Sequence, residues 1–104
     1  MSASFQFSSR ALEDLDEILS FIARDNQSAA DRLEMEIHAT CDRLAKFPLM
    51  GTKREDITPF AIRFWTLSKF PNYVIVYHAE TIPLQVIAVL HGRRNLKDVL
   101  EKRF

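Results

Sequence analysis

The chain has 104 residues, of which 47% are hydrophobic and 27% charged, and this length and composition predict one globular domain with a single core. No apolar run approaches the roughly 20 residues that span a membrane, and no signal peptide is readable, so we expect a cytoplasmic protein. The single cysteine, Cys41, excludes an internal disulfide and a cysteine metal cluster.

The net charge of zero conceals two oppositely charged halves. Residues 1–50 carry nine acidic and five basic side chains, and residues 51–104 carry five acidic and nine basic ones. Such asymmetry is typical of a chain with an acidic partner or a nucleic-acid surface. Ordinary solvation of two helices and a sheet explains it equally well.

A short strand and a first helix are predicted at the start of the chain. Phe5 and Phe7 alternate with a polar residue, as in a half-buried strand. Ser8 or Ser9 then precedes a segment in which apolar residues recur at helical spacing, so either serine is a candidate helix cap. The apolar stripe of this helix comprises Leu12, Leu15, Ile18, Leu19 and Ile22.

A second helix follows after a predicted turn at residues 25–27. Ser28 with Asp31 resembles a capping box that opens it, and Pro48 with Gly51 ends it. Its apolar stripe comprises Ala30, Leu33, Ile37, Cys41 and Leu44. Because the connecting turn is so short, the two helices should form an antiparallel hairpin.

The second half of the sequence changes to a strand pattern. Residues 61–67, 73–78 and 84–91 are rich in β-branched and aromatic side chains and are joined by connections too short for parallel crossovers. We therefore expect an antiparallel meander. Residues 95–103 form a candidate terminal helix, with Asn95 as its cap.

These elements give an α+β fold in the order β-α-α-β-β-β-α, with residues 1–104 as one domain. The helical hairpin should pack on one face of an antiparallel sheet, against Val74, Val76, Ile87 and Val89. Strand 1 should lie beside the meander, although its partner strand is not determined by the sequence.

The first meander strand carries a concentration of aromatic residues, comprising Phe60, Phe64, Trp65 and Phe70, interleaved with Arg63 and Lys69. Alternation along a strand points Phe64 away from Arg63 and Trp65. We assign Ile62 and Phe64 to the helix-covered side. Arg63 and Trp65 then face a groove available to a partner.

The cluster His91-Gly92-Arg93-Arg94 follows the last strand. Gly92 permits a backbone turn that is unavailable to other residues, and the two guanidinium groups could bind a phosphate or a carboxylate. In the simpler interpretation, one arginine pairs with an acid on a nearby helix.

No enzyme motif is evident elsewhere in the sequence. His38, His78 and His91 lack metal-ligand spacing, and Cys41 lies on an apolar stripe where it packs as a small hydrophobe. A glycine-rich phosphate loop, a serine triad and a paired-carboxylate site are all absent from the sequence. We expect neither a metal nor a cofactor.

A family resemblance emerges from several short motifs in order. They are Ala11-x-x-Asp14-Leu15-x-x-Ile18, Ala29-Ala30-x-Arg32, Pro48-x-x-Gly51, Tyr73-Val-Ile-Val-Tyr77 and Val89-Leu90-His91-Gly92-Arg93-Arg94. Over roughly residues 6–100 the chain resembles the ParE group of the ParE/RelE toxin superfamily. The resemblance implies the toxin of a type II toxin–antitoxin, plasmid-stabilisation-like system, neutralised by a ParD-like antitoxin that alone contacts operator DNA. Arg63 and Trp65, which face the predicted groove, are the expected antitoxin-binding residues.

The superfamily has two activities. ParE-like members are regarded as DNA gyrase inhibitors without catalytic residues, and RelE-like members cut messenger RNA in the ribosome. Nuclease members carry an arginine and a tyrosine where this chain has Val74 and Leu100, so the resemblance favours gyrase. The target-binding residues would then be Arg93, Arg94, Lys97, Lys102 and Arg103, within 93–104. As the alternative, an endoribonuclease would use Arg63, Arg94 and His91; an inactive member that only binds its partner is a third possibility.

Overall fold

The structure, a computed structural model, describes residues 4–55 and 61–103. The elements in chain order are β1 (Phe5–Phe7), α1 (Ser9–Ala23), α2 (Gln27–Lys46), β2 (Thr52–Lys53), β3 (Ile62–Thr66), β4 (Tyr73–His78), β5 (Leu84–His91) and α3 (Leu96–Glu101). Phe60 of the aromatic concentration and Phe104 at the end of the cationic stretch lie outside the described residues. Among the described residues, no helix is both long enough and apolar enough to cross a membrane.

Each helix begins at a polar cap. The Ser8 side chain accepts a hydrogen bond from the Ala11 amide at 3.1 Å, and that of Asn95 accepts one from the Asp98 amide at 3.2 Å. For α2 the cap is Asn26, whose Oδ1 accepts from the Ala29 amide at 3.0 Å. The expected cap at Ser28 is therefore wrong by two residues, because the side chain of Asn26, in the turn, accepts the hydrogen bond of the free Ala29 amide.

The helical hairpin and the α+β class are as predicted, but the sheet is mixed. Its strand order is β1-β5-β4-β3-β2. β5, β4, β3 and β2 are antiparallel neighbours, whereas β1 runs parallel to β5, with Phe5 opposite Leu84. A parallel pair here is possible because the whole hairpin of α1 and α2, together with the meander, separates the two strands. The sequence pattern does not predict the two-residue strand β2.

The sheet has an apolar cluster on each face. The hairpin covers the first, the hairpin cluster, whose buried members include Leu15, Leu33, Ile37, Leu44, Ile75, Tyr77, Val86 and Val89. The second, the α3 cluster, contains Ile62, Phe64, Val74, Val76, Ala88, Leu90 and Leu100. Thus α3 serves as the cover of the second face.

The predicted assignment of strand faces is wrong for two strands. Ile62 and Phe64 pack in the α3 cluster, while Trp65 is half-buried against the hairpin cluster. Val74 and Val76 likewise face α3, and Ile87 packs beside them. Alternation fixes which residues share a face but not which face the hairpin covers, so the assignment is inverted on β3 and β4, whereas on β5 Val89 packs in the hairpin cluster as predicted.

One irregularity in the sheet lies next to Ile87. Val76 pairs with Ala88, but Tyr77 pairs with Val86, so β5 has one extra residue at this point. Such a bulge shifts the alternation by one residue. This shift explains why Val86 and Val89 both face the hairpin although they are three positions apart.

Tyr77 and Arg63 hold the loop that follows α2. The Tyr77 hydroxyl donates to the Pro48 carbonyl at 2.7 Å and accepts from the Gly51 amide at 2.8 Å. Arg63 Nη1 donates to the carbonyls of Gly51 at 2.7 Å and Leu49 at 3.4 Å. Glycine is needed here because a Cβ on Gly51 would lie 2.5 Å from the Tyr77 hydroxyl oxygen.

Candidate functional site

The exit of β5 forms a tight turn that presents two arginines. The Gly92 amide donates to the Asn72 carbonyl at 2.7 Å, and the Arg94 amide donates to the His91 carbonyl at 3.0 Å. Gly92 has no positive φ, and a Cβ there would meet only ordinary contacts, so the expected need for glycine is wrong. Hydrogen bonds of neighbouring backbone groups form the turn instead.

Arg93 and Arg94 are exposed, and neither has a salt bridge within residues 4–55 and 61–103. Lys97 on α3 and Lys102 just after it are also exposed. Four of the five residues expected to bind the target therefore lie on the surface of one terminal segment. We call this set, Arg93, Arg94, Lys97 and Lys102, the cationic segment.

The fifth residue, Arg103, is placed differently. Its Nη1 and Nη2 atoms each lie 2.7 Å from a carboxylate oxygen of Asp14 on α1, and both side chains are buried. Nη1 also donates to the Ile87 carbonyl at 3.0 Å. Hydrogen bonding to Asp14 raises the pKa of Arg103 further above its ordinary value. Arg103 therefore ties the end of α3 to α1 and β5, and its guanidinium group is not on the exposed cationic surface.

The sequence carries a signal for this ion pair in the position of its acidic member. Asp14 lies three residues after Ala11 and four before Ile18, which places its carboxylate on the buried side of α1. There Oδ2 also accepts from the Val89 amide at 3.0 Å. A carboxylate at such a position indicates a buried cationic partner, because an unpaired charge is costly inside a protein.

A mainly apolar groove of about 260 Å³ lies between α1 and the end of β5. Ile18 and Phe21 form the α1 side, and Phe21 is 68% exposed. Tyr73 and His91 form the opposite side, with their rings 5.4 Å apart edge to face. Arg94, a member of the cationic segment, also lines the groove, so the groove adjoins that segment. We call this feature the α1–β5 groove.

Arg63 and Trp65 do not form the expected partner groove. Arg63 is occupied by the Leu49 and Gly51 carbonyls, and Trp65 is half-buried against the hairpin cluster. The physical reason is the inverted face assignment, which places both residues on the hairpin side of β3.

The three residues expected to cleave RNA in a nuclease, Arg63, Arg94 and His91, do not form one cluster. Arg63 pairs with Tyr77 on β4, whereas His91 pairs with Tyr73. These positions are four residues apart along β4, or about 13 Å at about 3.3 Å per residue. Arg94 is near His91, so Arg63 lies toward the other end of the sheet.

The described side chains favour neither a metal site nor a reactive thiol. Within the described part of the chain, no group of three or more histidine, cysteine, aspartate or glutamate side chains is placed to hold a metal ion. Cys41 is fully buried in the hairpin cluster, where burial raises its pKa to about 12. A thiol with so high a pKa remains protonated near neutral pH and is a poor nucleophile.

The family model for the ParE toxin of the type II toxin–antitoxin system parDE matches residues 5–96. The chain therefore belongs to the ParE toxin family.

A solved structure, described as a chromosomal ParDE toxin–antitoxin system from P. aeruginosa, shares this fold. The TM-score is 0.69 at 18% sequence identity, over 86% of this chain and 96% of the other. A comparison with curated proteins gives no significant match. The family resemblance in the sequence motifs is thus confirmed.

Proposed function

We propose that this toxin acts on DNA gyrase by binding, without catalysis of its own, and that a ParD-like antitoxin neutralises it. One observation carries the choice of gyrase. Val74 and Leu100 occupy the positions at which the nuclease branch of the superfamily carries an arginine and a tyrosine. Here both are buried in the α3 cluster, at 8% and 1% exposure.

The burial of these two positions matters more than their identity alone. Cleavage of RNA requires acid–base groups and cations around the scissile phosphate. Valine and leucine provide neither, and Leu100 of α3 packs over the face of the sheet on which Val74 lies. A nuclease would need another constellation, and the remaining candidates lie at separate places on the sheet.

The cationic segment supports a binding mode of action. Its four exposed cations lie on one terminal stretch whose apolar side is anchored by Leu100. Positive charge of this kind is suited to an acidic protein surface and to DNA held by that protein. We propose this segment as the target-binding surface.

Induction of the isolated gene tests the gyrase proposal. We expect filamentation and a DNA-damage response, both suppressed by co-expression of the antitoxin. The Arg93→Gln, Arg94→Gln double variant should weaken these effects, because fewer charged contacts to the target remain. The matched control is Arg24→Gln with Arg32→Gln, two arginines of the first half of the chain that do not line the α1–β5 groove. Rapid arrest of protein synthesis with shortened messages would instead support the endoribonuclease.

The α1–β5 groove is the proposed binding site of the antitoxin. A disordered segment that folds on the toxin would place its apolar residues over Ile18 and Phe21. The Phe21→Ser variant should therefore weaken antitoxin binding at least tenfold in a calorimetric titration. Phe47→Ser provides the control, since Phe47 is comparably exposed but follows α2, outside the groove. Equal affinity in the two variants would exclude the groove.

A further inference from the structure

A cleft rich in cationic side chains lies beside the α1–β5 groove, between the start of α1 and α3. It has a volume of about 270 Å³, and its lining includes Arg10, Arg94, Asp98, Lys102 and Arg103. Arg94 lines both the groove and this cleft. The lining combines four cations with one carboxylate, and we call it the cationic cleft.

The cations of this cleft differ in how far they are already neutralised. Arg103 is paired with Asp14, and Arg10 has an exposed partner, Glu13, at 3.5 Å. Exposed pairs of the latter kind are weak. Arg94 and Lys102 have no ion pair within residues 4–55 and 61–103. Two of the four cations of the cleft therefore lack an ion-pair partner among the described residues.

Arg103 forms the inner side of the cleft, with its charge already paired to Asp14. Its Nη atoms are held by Asp14 and the Ile87 carbonyl, so the guanidinium group cannot turn away from the cleft without breaking a buried ion pair. Its Nε is buried and has no hydrogen-bond partner among the described residues.

A second cavity, with a mainly apolar lining, adjoins the cleft. This cavity of about 290 Å³ shares Arg10 and Arg103 with the cleft and adds Ser8, His78 and Gln85. The exposed cations of the cleft, Arg10 on α1 with Arg94 and Lys102 on either side of α3, suit a ligand that repeats its negative charge along its length. A nucleic-acid backbone has this property, since each nucleotide contributes one phosphate.

We propose that the cationic cleft binds the phosphodiester backbone of DNA. Arg10, Arg94 and Lys102 contact phosphate oxygens, and Arg103, fixed by Asp14, forms the wall behind them. This inference rests on the proposed function, in which the DNA is the segment held by gyrase. It adds Arg10 of α1 to the binding surface and predicts contacts that do not depend on base sequence.

Fluorescence anisotropy of a labelled DNA duplex, titrated with the purified full chain over a series of salt concentrations, tests the proposal. The logarithm of the affinity should fall linearly with the logarithm of the salt concentration. For the Arg94→Gln, Lys102→Gln double variant the slope should decrease by about 2, because each substitution removes one cation that neutralises a phosphate. Arg10→Gln should decrease it by about 1. The Arg24→Gln, Arg32→Gln control should retain the wild-type slope.

Two results would overturn the proposal. Equal slopes for the cleft variant and the control would show that the cleft is not where DNA binds. Binding of inorganic phosphate to the cleft, without any binding of the duplex, would show that the ligand of the cleft is a free anion and not DNA.

The proposed function is tested separately, by trapping of gyrase–DNA cleavage complexes with the wild-type chain. DNA binding in the cleft without trapping would leave the cleft proposal intact and reject gyrase as the target. Trapping by the wild type, with unchanged DNA affinity in the cleft variant, would reject only the cleft.

Discussion

Single side chains hold the parts of this toxin that no regular element secures. The Tyr77 hydroxyl and the Arg63 guanidinium group bind three carbonyls and one amide of the loop from Pro48 to Gly51. Asp14 and Arg103 do the same for the end of α3. Buried polar groups of this kind are costly when one partner is removed, so they can be tested by single substitutions.

The Tyr77→Phe variant should be less stable than the wild type by about 1 to 3 kcal/mol. It removes the hydroxyl and leaves the Gly51 amide and the Pro48 carbonyl without their partner. Tyr73→Phe is the matched control, because the Tyr73 hydroxyl forms no hydrogen bond with any described residue. Urea unfolding of both variants gives the comparison, and equal midpoints would contradict this account of the loop.

Burial of Cys41 predicts a loss of stability at alkaline pH. The pKa of the thiol is raised from 9.0 to about 12 in the folded chain. Above pH 9 the unfolded chain loses this proton while the folded chain keeps it, so the free energy of unfolding falls as the pH rises toward 12. The slope from this group is up to about 1.4 kcal/mol per pH unit.

The Cys41→Ala variant isolates that contribution. Burial also raises the pKa of Tyr77, which therefore acts in the same direction, but Tyr77 is present in both proteins. The difference between the two curves of unfolding free energy against pH should thus shrink at alkaline pH, once the unfolded thiol ionises. Curves that stay parallel through roughly two pH units above the ordinary thiol pKa would show that the thiol is not buried as described.

At the scale of the elements, the helical hairpin is predictable from the sequence and the faces of the sheet are not. The stripes of α1 and α2 repeat at helical spacing, which correctly places Leu15, Leu33 and Ile37 in the core. The strands alternate, but β4 and β5 are apolar on both sides, because α3 covers the second face. With both faces buried, no polar residue shows which face meets the hairpin.

The exposed end of the α1 stripe supplies a test of the packing. Leu15 is buried, whereas Leu12, assigned to the same stripe, is 53% exposed. Leu15→Ala should therefore cost about 2 to 5 kcal/mol of stability, and Leu12→Ala less than about 0.5 kcal/mol. Thermal unfolding of both variants decides the point, and similar losses would place α1 in a different orientation on the sheet.

At the scale of the whole molecule, the candidate site is assembled from distant parts of the chain. The sequence points to Arg93, Arg94, Lys97 and Lys102 because they are close together in it. It carries no such signal for Arg10, which reaches the same region only because α1 packs beside α3 and the last strand. Arg103 shows the reverse case, since a neighbour in sequence is withdrawn from the surface by a partner 89 residues away.

The two oppositely charged halves of the sequence correspond to different parts of the structure. The acidic first half forms the hairpin, and the basic second half ends in the cationic segment. A positively charged terminal segment is suited to orient the protein on a negatively charged target, and such steering weakens as salt is added. The α1–β5 groove, proposed as the antitoxin site, lies next to these cations.

The most direct test of the proposed gyrase activity is a paired assay of the purified toxin. One reaction contains gyrase and supercoiled DNA, and the other contains ribosomes translating a defined message. We expect trapped gyrase–DNA cleavage complexes in the first reaction, relieved by the antitoxin, and an intact message in the second. Messages cut in the ribosomal A site, with gyrase unaffected, would contradict the account and make Arg94, Arg63 and His91 the residues to examine.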